Sequence, residues 1–347
     1  MLLVEVMRRQ IKVSDVVRQE VPEGVAPDAL PEPPGLAAVP RRPMPLGGPT
    51  RRIRGVMRRQ FTALNRSLEA KLETSGLVAE VARDASDFLR TADDDAKAAV
   101  GRGGQPLGEF RRREIERLFS RPPFQAVSTL IRSEVDEWAL ETTAALDPEY
   151  ANAYTTGGKA AQRKIGIRAN FDLRNPGILQ ALDERANLLT GGIGNDIFDR
   201  MRTVIGEEFY LKGQGVPSVA RSLQSEFSWL NRVRAETIAH QESLTITSDA
   251  QHTVYAASGV EFKRWITTLD GNERPTHFEA HGQLVKIDEP FIVGGSSLFF
   301  PGDPAGETAE IMRCRCDHIP VVMADQQFQG STVWNGDVAP DEFARAA

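Results

Sequence analysis

The sequence predicts an α+β protein, with a large N-terminal all-α helical region followed by a small C-terminal α+β domain. Three observations predict it. Apolar residues recur three and four apart through most of residues 56–258; near Ala250 the pattern gives way to short β-rich runs between glycine and proline turns; and a hydrophobic fraction of 41% over 347 residues suffices for one large or two ordinary cores.

Nine of the 21 prolines fall between Pro22 and Pro49, in a stretch with neither a helical nor an alternating period. Proline removes backbone donors and favours polyproline II, so residues 1–55 read as an extended arm that would be ordered along a partner. Residues 1–60 hold eleven basic and six acidic side chains, whereas the whole chain carries a net charge of −6. A basic arm on an acidic body is implied, and a protein gripping nucleic acid over its whole surface is excluded. Arg51, Arg52, Arg54, Arg58 and Arg59 are the candidate contacts to DNA or an acidic partner, with an ordinary charged helix start as the alternative.

Residues 56–230 read as a helical domain. Phe61, Leu64, Leu68 and Leu72 form one apolar stripe, Val78, Val81, Ala85, Phe88 and Leu89 a second, and Phe110, Ile115, Leu118 and Phe119 begin a third. Breaks are expected at Gly101-Arg102-Gly103-Gly104, at Pro122-Pro123 and at Thr190-Gly191-Gly192. Gly213-Gln214-Gly215 and Gly191-Gly192-Ile193-Gly194 read as helix-ending turns. Neither follows a predicted strand, and no Lys-Ser/Thr pair completes a phosphate loop.

The next domain, residues 231–325, carries β-rich runs at 262–268, 284–287 and 319–322. Turn clusters separate them at Asp270-Gly271-Asn272, Gly294-Gly295-Ser296 and Pro301-Gly302-Asp303-Pro304. Residues 326–347 form a polar tail with isolated aromatics. No run approaches the roughly 18–20 apolar residues of a membrane helix, and Glu5 interrupts the opening too early for a secretory segment, so neither a membrane nor export is expected.

Cys314 and Cys316 are separated by one residue, so a disulfide between them would be strained, and reduced thiols fit better. Together with His277, His281 and His318 they concentrate most of the chain's soft ligand atoms in one stretch. A structural zinc site takes four such ligands in a tetrahedron. His277, Cys314 and Cys316, with His281 or His318 as the fourth, make the expected set, and its role would be to hold a thin core together. The plainer alternative packs the cysteines as small hydrophobes with the histidines bonded to backbone or solvent. A cysteine nucleophile would lack an orienting group. His277-Phe278-Glu279-Ala280-His281 places its glutamate midway, unlike the His-Glu-x-x-His arrangement of zinc hydrolases. No catalytic residue is expected.

An ordered series of landmarks runs from Arg234-Ala235-Glu236-Thr237-Ile238-Ala239-His240-Gln241-Glu242 through Lys263-Arg264-Trp265, Asp270, Arg274-Pro275-Thr276-His277, Gly282 and Phe291. It closes with Pro301-Gly302-Asp303-Pro304 and Cys314-Arg315-Cys316. In this order the segment resembles the Mu F-like minor capsid, or head-morphogenesis, family of tailed phages. Asp172-Leu173-Arg174-Asn175-Pro176 and Gly213-Gln214-Gly215-Val216-Pro217 extend the likeness upstream, while His281 and the interval Gly271-Asn272-Glu273 depart from the family pattern. The resemblance implies a non-enzymatic virion protein of the head, near the portal vertex, present in the host cytoplasm during assembly. Its implied partners are the portal protein, the major capsid protein or both, with packaged DNA as a further one. The alternatives are a DNA-binding or DNA-ejection-associated head protein delivered into the host, or an effector enzyme. A toxin module of that kind would be expected after the Cys-x-Cys element.

Overall fold

A computed structural model describes residues 46–91, 118–166 and 176–321. Most of the proline-rich arm, the glycine cluster at 101–104, Phe110 and Ile115, the landmark at 172–175 and the tail at 326–347 lie outside the described residues.

Helix α1 (Gly47–Ser75) buries the expected stripe: Phe61 is fully enclosed, and Leu64, Leu68 and Leu72 follow it inward. The same face continues back to Ile53, Val56 and Met57, because the period of 3.6 holds through the arginines between them. Gly76, at φ +70, ends the helix in the left-handed region that glycine adopts without penalty. Helix α2 (Leu77–Thr91) follows and buries Val81 and Ala85.

Helix α3 (Pro122–Ile165) starts at the expected break, with Pro122 and Pro123 in its first turn, where a missing N–H costs nothing. Helix α4 (Pro176–Gly206) corrects one expectation, since it runs unbroken through Thr190-Gly191-Gly192. Gly191 and Gly192 have open space around them, whereas packing accounts for the glycines further along the helix. A Cβ on Gly194 would lie 3.0 Å from Val135 Cγ1, and one on Gly206 would lie 2.9 Å from Phe119 Cε1, so these glycines admit close neighbours instead of ending the helix. Thr190, within the same run, bonds Thr143 of α3 at 2.8 Å.

Two wide, π-helical turns follow, Glu207–Leu211 directly after α4 and Leu230–Arg234 after helix α5 (Val216–Trp229). Gly213, at φ +61, turns the chain between the first of them and α5, as expected. Helix α6 (Ala235–Ala257) is enclosed on all sides over residues 241–248. Two of its small polar residues are satisfied on the preceding turn, Ser243 Oγ donating to Ala239 O and Thr247 Oγ1 to Ser243 O, each at 2.6 Å, while Thr245 Oγ1 donates to Gly302 O. A Cβ on Gly157 of α3 would come within 2.3 Å of Thr247 O, so this glycine permits backbone-to-backbone contact.

The C-terminal segment forms strand β1 (Phe262–Ile266), helix α7 (Pro275–Ala280), strands β2 (Leu284–Lys286), β3 (Phe291–Val293) and β4 (Ser296–Leu298), helix α8 (Thr308–Ile311) and strand β5 (Asp317–Val321). β1 is central in an antiparallel sheet of order β2-β1-β5, with Trp265 opposite His318 and Lys263 opposite Val285. β3 and β4 pair as a hairpin across Gly294 and Gly295, both at positive φ, which the right-handed strand twist favours in a two-residue turn. The core joins Leu244 of α6 to Trp265, Ala280, Phe291, Val293 and Leu298, and it includes both cysteines.

The chain divides into two compact units that interleave in sequence. Of the described residues, one unit takes those up to Ile53, residues 149–182 and those from Thr237 onward; the other takes Arg54–Pro148 and Asp183–Glu236. No helix among the described residues is long and apolar enough to cross a membrane.

Candidate metal centre

The three residues His277, Cys314 and Cys316 converge, although the chain delivers them from different elements. His277 sits in α7, which Pro275 starts by fixing φ in the first turn. Arg313 is the only non-glycine residue at positive φ among the described residues, at φ 55, and it re-aims the chain between α8 and β5 so that both thiols turn inward. Such backbone strain persists only where the surroundings over-determine it. Arg274 anchors the same corner by donating to Met312 O, and Arg315 clamps Asp270 through both guanidinium nitrogens.

All three side chains are buried, at 2%, 1% and 4% exposure for His277, Cys314 and Cys316, and their ligand atoms lie within 4.8 Å of one another. His277 Nδ1 stands 3.2 Å from Cys316 Sγ and 3.7 Å from Cys314 Sγ. With zinc bonds of about 2.3 Å to sulfur and 2.0 Å to nitrogen, a tetrahedron has N···S edges of about 3.5 Å, so the observed spacings fit a metal without rearrangement. The Cys316 N–H points at Cys314 Sγ at 3.4 Å, a donor suited to a thiolate.

The electrostatics agree. The Cys316 thiol is held below its ordinary value, first by the hydrogen bond with Cys314 and then by His277, against burial. Cys314 is pushed well up, because it shares that bond with Cys316 and is enclosed. The two sulfurs are thus pushed in opposite directions by the bond they share, and a soft cation would take both as thiolates.

Neither of the other two expected ligands joins this group. His281 Nδ1 accepts the Thr267 N–H at 3.0 Å, and so closes the turn after α7. His318 faces Tyr255, ring to ring edge-on at 5.3 Å, and His252 at 6.2 Å, with both ring nitrogens lacking a hydrogen-bond partner.

Residues that the sequence did not single out complete the surroundings. Thr267 Oγ1 donates to His277 O at 2.6 Å and accepts from Trp265 Nε1 at 3.2 Å. Glu310 Oε2 lies 3.2 Å from His277 Nε2, off the line of a full hydrogen bond, which leaves that nitrogen with no other acceptor. Beside Cys316 opens a cavity of about 300 Å³ bordered by His240, Leu244, Thr268, Arg315 and Asp317. Lys263 is fully buried on β1, donates to Phe299 O at 2.9 Å and lies over the rings of Phe291 and Phe299. Strand alternation carried that signal, since Lys263 is two residues before the enclosed Trp265 and shares its face.

The arginines expected to meet DNA or a partner lie along α1. Arg52 pairs with Glu149 at 3.0 Å, Arg54 with Glu236 at 2.6 Å, and Arg58 donates to Asn231 O at 3.2 Å. Arg51 donates to Gly47 O within its own helix, and Arg59 is exposed.

Residues 210–319 match the family described as phage Mu protein F like protein, a stretch that contains the whole metal-ligand trio. The protein YqbB of Bacillus subtilis (strain 168) is 35% identical over 115 residues, which are 32% of this chain and 37% of YqbB. The NAD(+)--arginine ADP-ribosyltransferase EFV of Enterococcus faecalis (strain ATCC 700802 / V583) is 27% identical over 143 residues, 40% of this chain and 26% of the transferase. The chain thus spans between about a quarter and two fifths of the length of these curated relatives. No solved structure matches.

Proposed function

Residues 210–319 of this chain belong to the phage Mu protein F like family, and from that premise we propose that the protein is a non-enzymatic structural component of a phage head, which associates with the portal vertex during assembly. The family match carries this reading. The geometry is in keeping with it, because His277 and the two cysteines are buried and the thiols belong to a domain core, as a staple does. The portal protein or the major capsid protein would be met by recognition of surfaces, with no bond made or broken.

In the same reading the trio binds zinc structurally. His277 and the two cysteines are the right chemistry for it, and a closed domain core is where such an ion converts its binding energy into folding energy. Elemental analysis of purified protein should find roughly one zinc per chain, and a content below about 0.2 would remove the metal from the proposal.

The likeness to the ADP-ribosyltransferase supports a second reading, an effector carried with the head, but it covers only 26% of that enzyme. Co-expression with the portal protein of the same phage, followed by affinity capture, tests the first reading. Co-purification is expected. Capture of neither portal nor capsid protein, together with arginine-directed NAD⁺ consumption, would favour the effector.

A further inference from the structure

We propose that Glu310 is a positioning residue for the metal centre, orienting His277 so that its Nδ1 lone pair, and not Nε2, is offered to the ion. The inference rests on the zinc reading above and goes beyond it by assigning a carboxylate that is not itself a ligand. Four observations carry it.

First, the imidazole of His277 is addressed from opposite sides: Nδ1 faces the two sulfurs at 3.2 and 3.7 Å, and Nε2 faces Glu310 Oε2 at 3.2 Å. Second, Glu310 does not reach the ion position, because it is not among the groups whose ligand atoms lie within 4.8 Å of one another. Third, its carboxylate is seated. Thr276 Oγ1 donates to Oε2 at 2.8 Å, and a Cβ on Gly294 would fall 2.3 Å from Oε1, so the backbone of the β3–β4 turn leaves room for the carboxylate only because residue 294 is glycine. Fourth, both groups are enclosed: Glu310 is 9% exposed and His277 2%, and Trp265 stands edge-on to the imidazole at 6.0 Å.

A buried carboxylate beside a buried imidazole nitrogen is costly unless it receives a proton donor. With Nε2 turned to that carboxylate, Nδ1 is the ring nitrogen left facing the sulfurs, where a metal requires a free lone pair. A carboxylate placed behind a ligating histidine raises the ring's basicity and fixes its direction, and its removal weakens metal affinity by about 10- to 100-fold. The contact stands at 3.2 Å, within ion-pair distance and short of a full hydrogen bond.

The test uses the full chain and zinc alone, titrated in competition with a chromophoric chelator. Glu310→Gln keeps the shape and the Thr276 bond but removes the charge, and it should weaken zinc about 10-fold or more while the metal-free melting temperature and the sulfur-to-cobalt charge-transfer band of the Co²⁺ form stay unchanged. Unaltered zinc affinity in Glu310→Gln would overturn the role of Glu310 and leave the zinc reading standing. If the wild type binds no zinc and Cys316→Ser behaves identically, the zinc reading itself falls. Should Glu310→Gln fail to fold, the wild type decides: ¹⁵N chemical shifts of His277 in the zinc form are expected to show a metal-bound Nδ1 and a protonated Nε2, and a metal-bound Nε2 would refute the proposal.

Discussion

Cys316 Sγ and His277 Nδ1 stand 3.2 Å apart, although 39 residues separate them in the chain. Their meeting ties α7 to the start of β5, and it brings Cys314 within reach of the same nitrogen. A metal at this point would therefore bind the native arrangement and not the unfolded chain.

Chelation should consequently lower thermal stability. With free zinc at about 100 times its dissociation constant, the ion contributes about 2.7 kcal/mol, and its removal by a chelator should lower the melting temperature by roughly 5–10 °C. Re-addition should restore it. Cys316→Ser should melt at the chelated temperature with or without zinc, as differential scanning fluorimetry would show.

Gly157→Ala tests the close approach of α3 and α6. The new methyl would press on Thr247 O at 2.3 Å, a backbone atom in an enclosed helix that has little room to retreat. Overpacking of this kind costs about 1–3 kcal/mol, more than the helix propensity gained from alanine. Urea unfolding should show the loss as a lower midpoint with an unchanged slope, and an alanine variant as stable as the parent would contradict the packing.

Two buried bases give stability a pH dependence of one sign. Burial, and then the charge of Lys263, lower His252 from 6.5 to about 3; burial lowers Lys263 from 10.5 to about 7, against the attraction of Asp303, Asp288 and Glu289. In each case the unfolded chain binds the proton more readily, so stability is fully present above the unfolded value and is lost as pH falls toward the folded one. The Lys263 contribution declines from pH 10.5 to about 7, and that of His252 from pH 6.5 to about 3. The slope is at most about 1.4 kcal/mol per pH unit for each group. Lys263→Met should flatten the profile between about pH 7 and 10, as measured by urea unfolding across that range.

Paired arginines on α1 should matter to the fold more than to nucleic acid. Arg52, Arg54 and Arg58 have acceptors within the protein, so replacing all three with glutamine should cost about 1 kcal/mol or less per pair and leave the salt dependence of any DNA retention unchanged. Deleting residues 1–60 would be a poor test, because Ile53, Val56 and Met57 belong to the core. An arginine that neutralises a phosphate adds about 0.9 to the logarithmic salt slope, so a shallower slope in the triple variant would assign these side chains to DNA.

Much of this architecture was legible in the residues. The stripe from Phe61 to Leu72, the break at Pro122, the strands of the central sheet and the turn at Gly294-Gly295 each follow from a local rule, a period or a backbone preference. Other features depend on what lies across the gap. That Gly194 lets a neighbour approach instead of ending a helix is decided by Val135 on another helix, and the local sequence carries no trace of it. The trio His277, Cys314 and Cys316 was visible as chemistry, but spacing could not separate it from His281, whose nitrogen is taken by the Thr267 amide, or from His318, which packs on Tyr255. Glu310 was silent, because a glutamate in a short polar helix signals nothing until Thr276 and His277 are placed beside it. The β3 and β4 strands, at three residues each, are too short for a periodic pattern.

The unit that contains the metal centre is assembled from distant parts of the chain: Lys164 Nζ holds Asp317 Oδ2 at 2.6 Å across 153 residues of sequence. A ribosome adding about 5–20 residues per second needs about 8–30 s to supply the second partner after the first. Through that interval the second half of α3 has no sheet to cover, and α6 emerges with its enclosed faces bare. Chaperone engagement during synthesis should therefore be concentrated on these two helices, and a ribosome-bound chain stalled before β5 should remain protease-sensitive there, becoming resistant only once the last strand has cleared the exit tunnel.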